Sequence, residues 1–120
     1  MELFLHYFGL KNTDVKPQVI IGDNQQGIKT VVGNPDAIAY VSVGTAEYEA
    51  GLGAAIKLLP LAGIEASVQN VRNRSFPLSR PLNLVTYCAP AGIAKAFIEF
   101  AGSPQVNDLI EAQYFVPVPR

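Results

Sequence analysis

Ala37-Ile38-Ala39-Tyr40-Val41-Ser42-Val43 is the stretch on which our expectation of the fold depends. It is a nearly continuous apolar run of strand length, bounded by the turn residues 33–36 and by Gly44. Such a run is typical of a strand that is covered on both faces, as in a parallel sheet. We therefore predict a buried strand over residues 37–43.

Helical patterns lie on both sides of this strand. Residues 25–32 place Ile28, Val31 and Val32 on one helical face, after a turn that leads into an N-cap. Residues 45–51 read as a short helix. The remaining predictions are strands at 18–21 and 82–87, helices at 2–10, 93–100 and 105–112, one or two helical turns at 67–72, a strand or bent hairpin at 54–61, and an extended tail at 114–119. Because helices and strands alternate, we predict an α/β fold with a mixed sheet flanked by helices, in a single domain over residues 1–120.

The composition excludes several classes of protein. The chain has 120 residues, a net charge of −1, 49% hydrophobic residues and 16% charged residues. The high apolar content is unlike that of a disordered chain, and the near-zero charge argues against a nucleic-acid partner. Charged residues usually make up about 25% of a chain, so we expect this surface to be covered in part by another domain or subunit.

Targeting and cross-linking signals are also missing from the sequence. One cysteine, Cys88, cannot form an intrachain disulfide or a cysteine-based zinc site. Apolar runs fall short of the roughly 18 residues of a membrane helix. The first residues lack a basic region and a cleavage site, so we expect this chain to carry no signal peptide.

Catalytic machinery is not indicated by the residue pattern. His6 has only Glu2 as a neighbour at helical spacing, and Cys88 follows the strand 82–87 without a base or a cation beside it. We expect His6 to be structural and Cys88 to be a small buried side chain. The sequence therefore predicts no enzyme, no cofactor and no metal.

Two places in the sequence could bind an anion. Asn24 and Gln25 start a predicted helix, whose free N–H groups favour anions. Ser42 and Gly44 end the predicted strand 37–43, and ligands of open α/β sheets gather at such ends. The commoner explanation in each case is an ordinary helix start or strand end.

Three arginines surround a loop with two prolines. Arg72, Arg74 and Arg80 could meet an anion or an acidic partner there. A solvated loop, or one that braces a hinge, is the simpler interpretation.

Four stretches in order resemble phosphate-binding proteins of the phosphate ABC importer. Residues 34–44 (NPDAIAYVSVG) and 72–86 (RNRSFPLSRPLNLVT) are similar to two family segments. Residues 94–100 (AKAFIEF), with Ser103-Pro104 after them, and 114–118 (YFVPV) resemble the family's "AKAFIDF" segment and its closing "GFVPV". Ala39 stands where the family usually has glycine, and residues 47–49 also depart from the pattern.

The resemblance implies the C-terminal half of a two-lobed α/β solute-binding protein of the type II periplasmic kind. Family members close two lobes on phosphate, hand it to membrane subunits of an importer, and work in the periplasm or at the cell surface. Their first-lobe ligands and their Ser-Gly-Thr motif precede the segment that matches residues 3–10, so no family phosphate ligand maps onto this sequence. We therefore expect weak phosphate binding or none by the chain alone.

A second hypothesis is a self-associating interaction domain without a ligand. Apolar surfaces and open sheet edges that meet the other lobe in the family would here pair with another copy. We accordingly expect a homo-oligomer.

Overall fold

Six α-helices and two short 3₁₀ helices form the secondary structure of residues 1–118, the part of the chain that the computed structural model describes. The α-helices are α1 (Glu2–Phe8), α2 (Asn24–Gly33), α3 (Val43–Gly51), α4 (Val68–Arg72), α5 (Gly92–Ala101) and α6 (Asn107–Ala112). The 3₁₀ helices are Asn12–Asp14 and Pro104–Val106. The chain divides into two compact units, unit 1 (Met1–Ser79) and unit 2 (Arg80–Arg120).

The predicted α/β fold with a mixed sheet is wrong. Within residues 1–118, extended backbone pairs only in an isolated antiparallel bridge between Leu61 and Ile64, around a turn with Ala62 and Gly63 at positive φ. The segments 18–21, 37–42, 54–60 and 82–87 have no strand partner among the described residues. A strand is stable only when a neighbouring strand takes its N–H and C=O groups, and a hydrophobic pattern does not supply that neighbour.

Helices contact one side of the apolar run 37–42. A Cβ built on Gly27 of α2 would lie 2.6 Å from Val41 Cγ1, so α2 approaches this segment as closely as glycine permits. Phe4 of α1 also contacts this run, with 5.0 Å between the centroids of the Phe4 and Tyr40 rings. Val43, the last residue of the predicted strand, begins α3. The predicted burial of this run is wrong, because no residue of 37–43 is buried and Ile38 is 80% exposed.

The helix predictions are largely confirmed. Helices α2, α3, α4 and α5 cover the predicted segments with ends shifted by one or two residues. The Asp23 carboxylate caps α2 by accepting the Gln26 N–H at 2.8 Å, and the Ser67 hydroxyl caps α4 by accepting the Asn70 N–H at 3.1 Å. Gly9 ends α1 at φ 64°, a conformation that glycine adopts without strain.

The remaining end predictions differ in detail. Pro104 opens a 3₁₀ turn before α6, where we predicted one continuous helix from residue 105. Helix α1 contains no buried residue, although its sequence is apolar almost all round. The tail predicted at 114–119 is not helical or paired from 115 to 118, and Pro119 lies outside the described residues.

The core of unit 1 lies where α2, α3 and the loop after α4 meet. Ile28, Ala46 and Phe76 are each only 4% exposed, and the Thr45 side chain is buried beside them. The loop that places Phe76 is held because the N–H groups of Ser75 and Phe76 both donate to the Asn70 carbonyl at 3.0 Å. This core keeps the first turns of α2 and α3 together.

Unit 2 buries fewer hydrophobic side chains than unit 1 does. Val106 is its buried hydrophobic residue, and the short segment that ends at residue 118 contributes buried Pro117. Its exposed large hydrophobic side chains are Leu82, Leu84, Val85, Tyr87, Ile93, Phe97, Phe100, Leu109, Tyr114, Phe115 and Val118. Three large apolar side chains of α5, Ile93, Phe97 and Phe100, are thus exposed.

The accessible surface reflects this exposure. The chain exposes 9236 Å². A folded monomer of this mass exposes about 6,300 Å², and two separate globules of the sizes of the two units would together expose about 7,500 Å². The excess agrees with the many large hydrophobic side chains that the chain leaves exposed. In the described part of the chain, no helix has both the length and the apolar character needed to cross a bilayer.

Candidate functional site

The start of α2 is a closed hydrogen-bonded unit. Asp23 caps the helix, and the Gln26 side chain reaches back so that its Oε1 accepts the Gly22 N–H at 2.7 Å. These two bonds use the side chains on both sides of Asn24 and Gln25. The Asp23 carboxylate therefore occupies the position at which an anion would have to bind to the start of α2.

Asn24 and Ser42 meet across the two helix starts. The Ser42 N–H donates to Asn24 Oδ1 at 3.0 Å, which ties the beginning of α3 to the beginning of α2. Ser42 is the N-cap residue of α3, but its hydroxyl makes no capping hydrogen bond. The structure thus brings together two of the residues that the sequence predicted at separate sites.

Gly44 lies in the first turn of α3. The N–H groups of Val43, Gly44 and Thr45 have no acceptor within the helix, as in every helix start. Together with the free Ser42 hydroxyl, they form a group of donors at the positive end of the α3 dipole. Of the four predicted residues, Ser42 and Gly44 are the ones that contribute to this group of donors.

Gln25 is directed elsewhere. Its Nε2 donates to Glu49 Oε1 at 2.9 Å, one and a half turns along α3 from the helix start. Gln25 therefore braces α2 against α3. The ionisable groups that hydrogen bonds join to this region, Asp23 and Glu49, are both carboxylates. They lower the affinity of the neighbouring donors for an anion.

Gly27 was missed as a positioning residue. It lies inside α2, where a Cβ would be 2.6 Å from Val41 Cγ1 and 2.8 Å from Ile21 Cδ1. Its lack of a side chain lets residues 39–42 pass close to α2, which places Ser42 beside Asn24. The available signal was a glycine within an otherwise regular helical pattern, which indicates a close backbone approach.

The other candidate residues form no site. His6 lies exposed in the last turn of α1, and Cys88 is exposed, so its predicted burial is wrong. Arg72 ends α4 and Arg74 follows it at φ 64°, in an exposed turn, while Arg80 begins unit 2 and is exposed. Among residues 1–118, no group of histidine, cysteine, aspartate and glutamate side chains could hold a metal ion.

A shallow groove lies on the other side of α3. Its volume is about 450 Å³, and its charged lining residues are Glu47, Lys57 and Glu65. Glu47 is already engaged, since its Oε2 accepts the Val68 N–H at 2.6 Å. The groove is thus part of the α3–α4 packing.

Comparison with known sequences gives the class of the protein. Residues 2–105 match the PBP superfamily domain, and the chain belongs to this superfamily. The phosphate-binding protein PstS 2 of Streptococcus pneumoniae serotype 4 is 30% identical over 101 residues, which are 84% of this chain and 33% of that protein.

A second relative also has a name that refers to phosphate binding. The phosphate-binding protein PstS 2 of Streptococcus agalactiae serotype V is 26% identical over 125 aligned positions, covering 96% of this chain and 41% of that protein. The chain thus spans between a third and two fifths of the length of these relatives. No solved structure matches it.

Proposed function

We propose that this chain is a phosphate-binding-protein-like component of an ABC phosphate import system. Its similarity to two proteins named for phosphate binding, over 84% and 96% of its length, carries this proposal. It corresponds to the C-terminal part of a two-lobed solute-binding protein, and its role is binding rather than catalysis. The resemblance to the importer family supports membrane subunits as partners and a place of action outside the cytoplasmic membrane.

Any anion that the chain binds alone lies at the start of α3. The donors are the N–H groups of Val43 and Gly44 and the Ser42 hydroxyl, with Asn24 holding Ser42 in place. Hydrogen bonds to a charged group contribute about 1.5–3 kcal/mol each, so three of them at the lower value give a dissociation constant near 1 mM. Asp23 and Glu49 weaken this further.

Isothermal titration with inorganic phosphate tests the proposal. We expect a dissociation constant of about 1 mM or weaker for the wild-type chain. Gly44→Pro removes one donor, and proline is tolerated in the first turn of a helix, so this variant should bind several times more weakly. Gly51→Ala, at the other end of α3 where a Cβ meets no atom within 4 Å, is the matched control.

Two results would contradict this assignment. Submicromolar binding would show that the chain contains ligands beyond the α3 donors. Equal binding by Gly44→Pro and Gly51→Ala would place the anion elsewhere.

Self-association is the second function that we propose. The observation that favours it is the large exposed apolar surface of unit 2, which surrounds few buried residues. Such a surface is stable in water only when it is covered. Sedimentation of the wild-type chain at several concentrations should show a homo-oligomer, and a monomer at all concentrations would contradict it.

A further inference from the structure

Residues 65–76 of unit 1 form a strap that contains α4 and depends on Asn70. The side-chain Nδ2 of Asn70 donates to the Glu65 carbonyl at 2.9 Å, and the backbone N–H of Asn70 donates to the Ser67 hydroxyl at 3.1 Å. A helix of five residues is not stable by itself, because its first turn loses more conformational entropy than its few hydrogen bonds offset. The bonds from Asn70 to the chain before α4 therefore contribute to keeping α4 formed.

The end of the strap also depends on Asn70. The Asn70 carbonyl accepts the N–H groups of Ser75 and Phe76, both at 3.0 Å, and the Phe76 side chain is buried in the core of unit 1. Arg74, which precedes this pair, has a left-handed backbone at φ 64°. This conformation is unfavourable for a residue with a Cβ, so the closed strap holds strain at its turn.

The beginning of the strap forms part of the groove beside α3. Residues 65–67 line this groove together with Glu47 and Ala50 of α3. The strap is attached to α3 through the Val68 N–H, which donates to Glu47 Oε2 at 2.6 Å. A displacement of the strap that breaks this bond therefore separates α4 from α3 and enlarges the groove.

We propose that the strap opens and closes as one unit over the groove, and that Asn70 holds it closed. Because the hydrogen bonds of Asn70 reach both ends of the strap, loss of structure at one end removes bonds that hold the other. The 2.9 Å bond from Gln25 to Glu49 joins α2 to α3 without the strap, so these two helices can stay together while the strap opens. The motion is separate from the phosphate binding proposed above, because it does not use the donors at the start of α3.

Native-state hydrogen exchange of the full chain tests this proposal. NMR follows single amides under conditions in which exchange reports the opening equilibrium. The strap reporters are amides that donate to carbonyls within the strap, namely Val71, Asn73, Ser75 and Phe76. The Val68 amide reports the separation of α4 from α3, and the Ala46 amide of α3, which donates to the Ser42 carbonyl at 3.0 Å, is the reference. We expect the strap reporters and Val68 to share one protection factor within about 3-fold and to exchange at least about 10-fold faster than Ala46.

Two matched variants test the part that Asn70 plays. Asn70→Asp removes the Nδ2 donor to the Glu65 carbonyl, and Gln69→Glu makes the same change of amide to carboxylate on the exposed neighbouring residue. Both new carboxylates lie in the first turn of α4 and interact with the same helix dipole, so the ratio between the variants isolates the lost bond. We expect every strap reporter to exchange about 5-fold faster in Asn70→Asp than in Gln69→Glu.

A third variant tests the strain in the opposite direction. Arg74→Gly relieves the left-handed turn in the closed strap, because glycine adopts positive φ without a steric penalty. All strap reporters should then exchange about 3-fold more slowly than in the wild type. This variant stabilises the closed state, so its result does not depend on a destabilised chain that still folds.

Each contrary result overturns a stated part of the proposal. Equal protection of the strap reporters and Ala46 in the wild type overturns a separate opening. A spread of more than about 10-fold among the strap reporters overturns opening as one unit, and slower exchange at Val68 than at the other reporters overturns the enlarged groove. Equal exchange in Asn70→Asp and Gln69→Glu excludes Asn70 as the residue that holds the strap closed, and faster exchange in Arg74→Gly contradicts the strain.

Discussion

Residues 37–43 and 82–87 have similar strand-like sequences and different surroundings. One side of the first segment lies against α2 and α1, with Val41 beside Gly27 and the Tyr40 ring beside Phe4, while Ile38 is 80% exposed. The second lies open to solvent, with Val85 88% exposed. Both runs have an apolar, β-prone sequence, which favours packing against other elements. The comparison teaches that the surrounding elements decide which contacts such a run makes.

The largest expected effect contrasts a covered ring with an uncovered one. Phe76→Ala should lower the free energy of unfolding by about 3–5 kcal/mol, because the ring is 4% exposed in the core of unit 1. Phe97→Ala, on the open face of α5, should change it by less than about 0.5 kcal/mol in the monomer. Urea unfolding at low protein concentration measures both, and equal losses would contradict the difference between the units.

The close approach of α2 to residues 39–42 gives the next effect. Gly27→Ala should destabilise unit 1 by about 1–3 kcal/mol, because the added Cβ overlaps Val41 and Ile21. Gly33→Ala in the same helix meets no atom within 4 Å and should be neutral or stabilising by up to about 1 kcal/mol. Thermal melts followed by circular dichroism separate the two. A stable Gly27→Ala variant would contradict the packing of the first segment.

Capping and charge at the start of α2 can be separated by two substitutions. Asp23→Ala removes the carboxylate that accepts the Gln26 N–H and should cost about 1 kcal/mol of stability. Asp23→Asn keeps a capping oxygen without the charge, so stability should hold while phosphate binding at α3 strengthens about 2–5-fold. Chemical unfolding and calorimetry measure the two quantities. Unchanged binding in Asp23→Asn would show that this carboxylate does not weaken the anion site.

The smallest effect concerns the charged side of α5. Glu99→Gln removes the ion pair with Lys95, whose side chains are 66% and 60% exposed. Exposed pairs at this spacing contribute about 0.3–0.5 kcal/mol, so the free energy of unfolding should change by no more than that in a urea titration. A loss well above this amount would contradict the exposed position of the pair.

The sequence predicted the helices well because their signals are local. Asp23 and Ser67 cap helices that begin within one residue of the predicted starts, and Gly9 ends α1 as expected. The candidate anion site was predicted only in outline. Asn24 and Ser42 were chosen as ends of separate elements, and their contact depends on the close approach at Gly27, whose partners Val41 and Ile21 are not identified by the helical pattern around the glycine.

The predictions that failed all depended on contacts between residues far apart in the sequence. The mixed sheet needed strands that find each other, and the burial of Cys88 needed a neighbour for residues 82–87. Family resemblance was a firmer guide to function than the site chemistry, because ordered motifs along the chain do not depend on how its segments pack. The superfamily match over residues 2–105 agrees with that resemblance.

The sequence by itself determined where helices begin and end, the apolar character of the extended runs, and the family. Tertiary structure decided that helices contact residues 37–42 on one side, that the Ser42 N–H bonds Asn24, and that residues 82–87 stay open. The physical reason is the range of the hydrogen bonds. A helix satisfies its backbone within four residues, whereas an extended segment must find its partner elsewhere in the fold or in another chain.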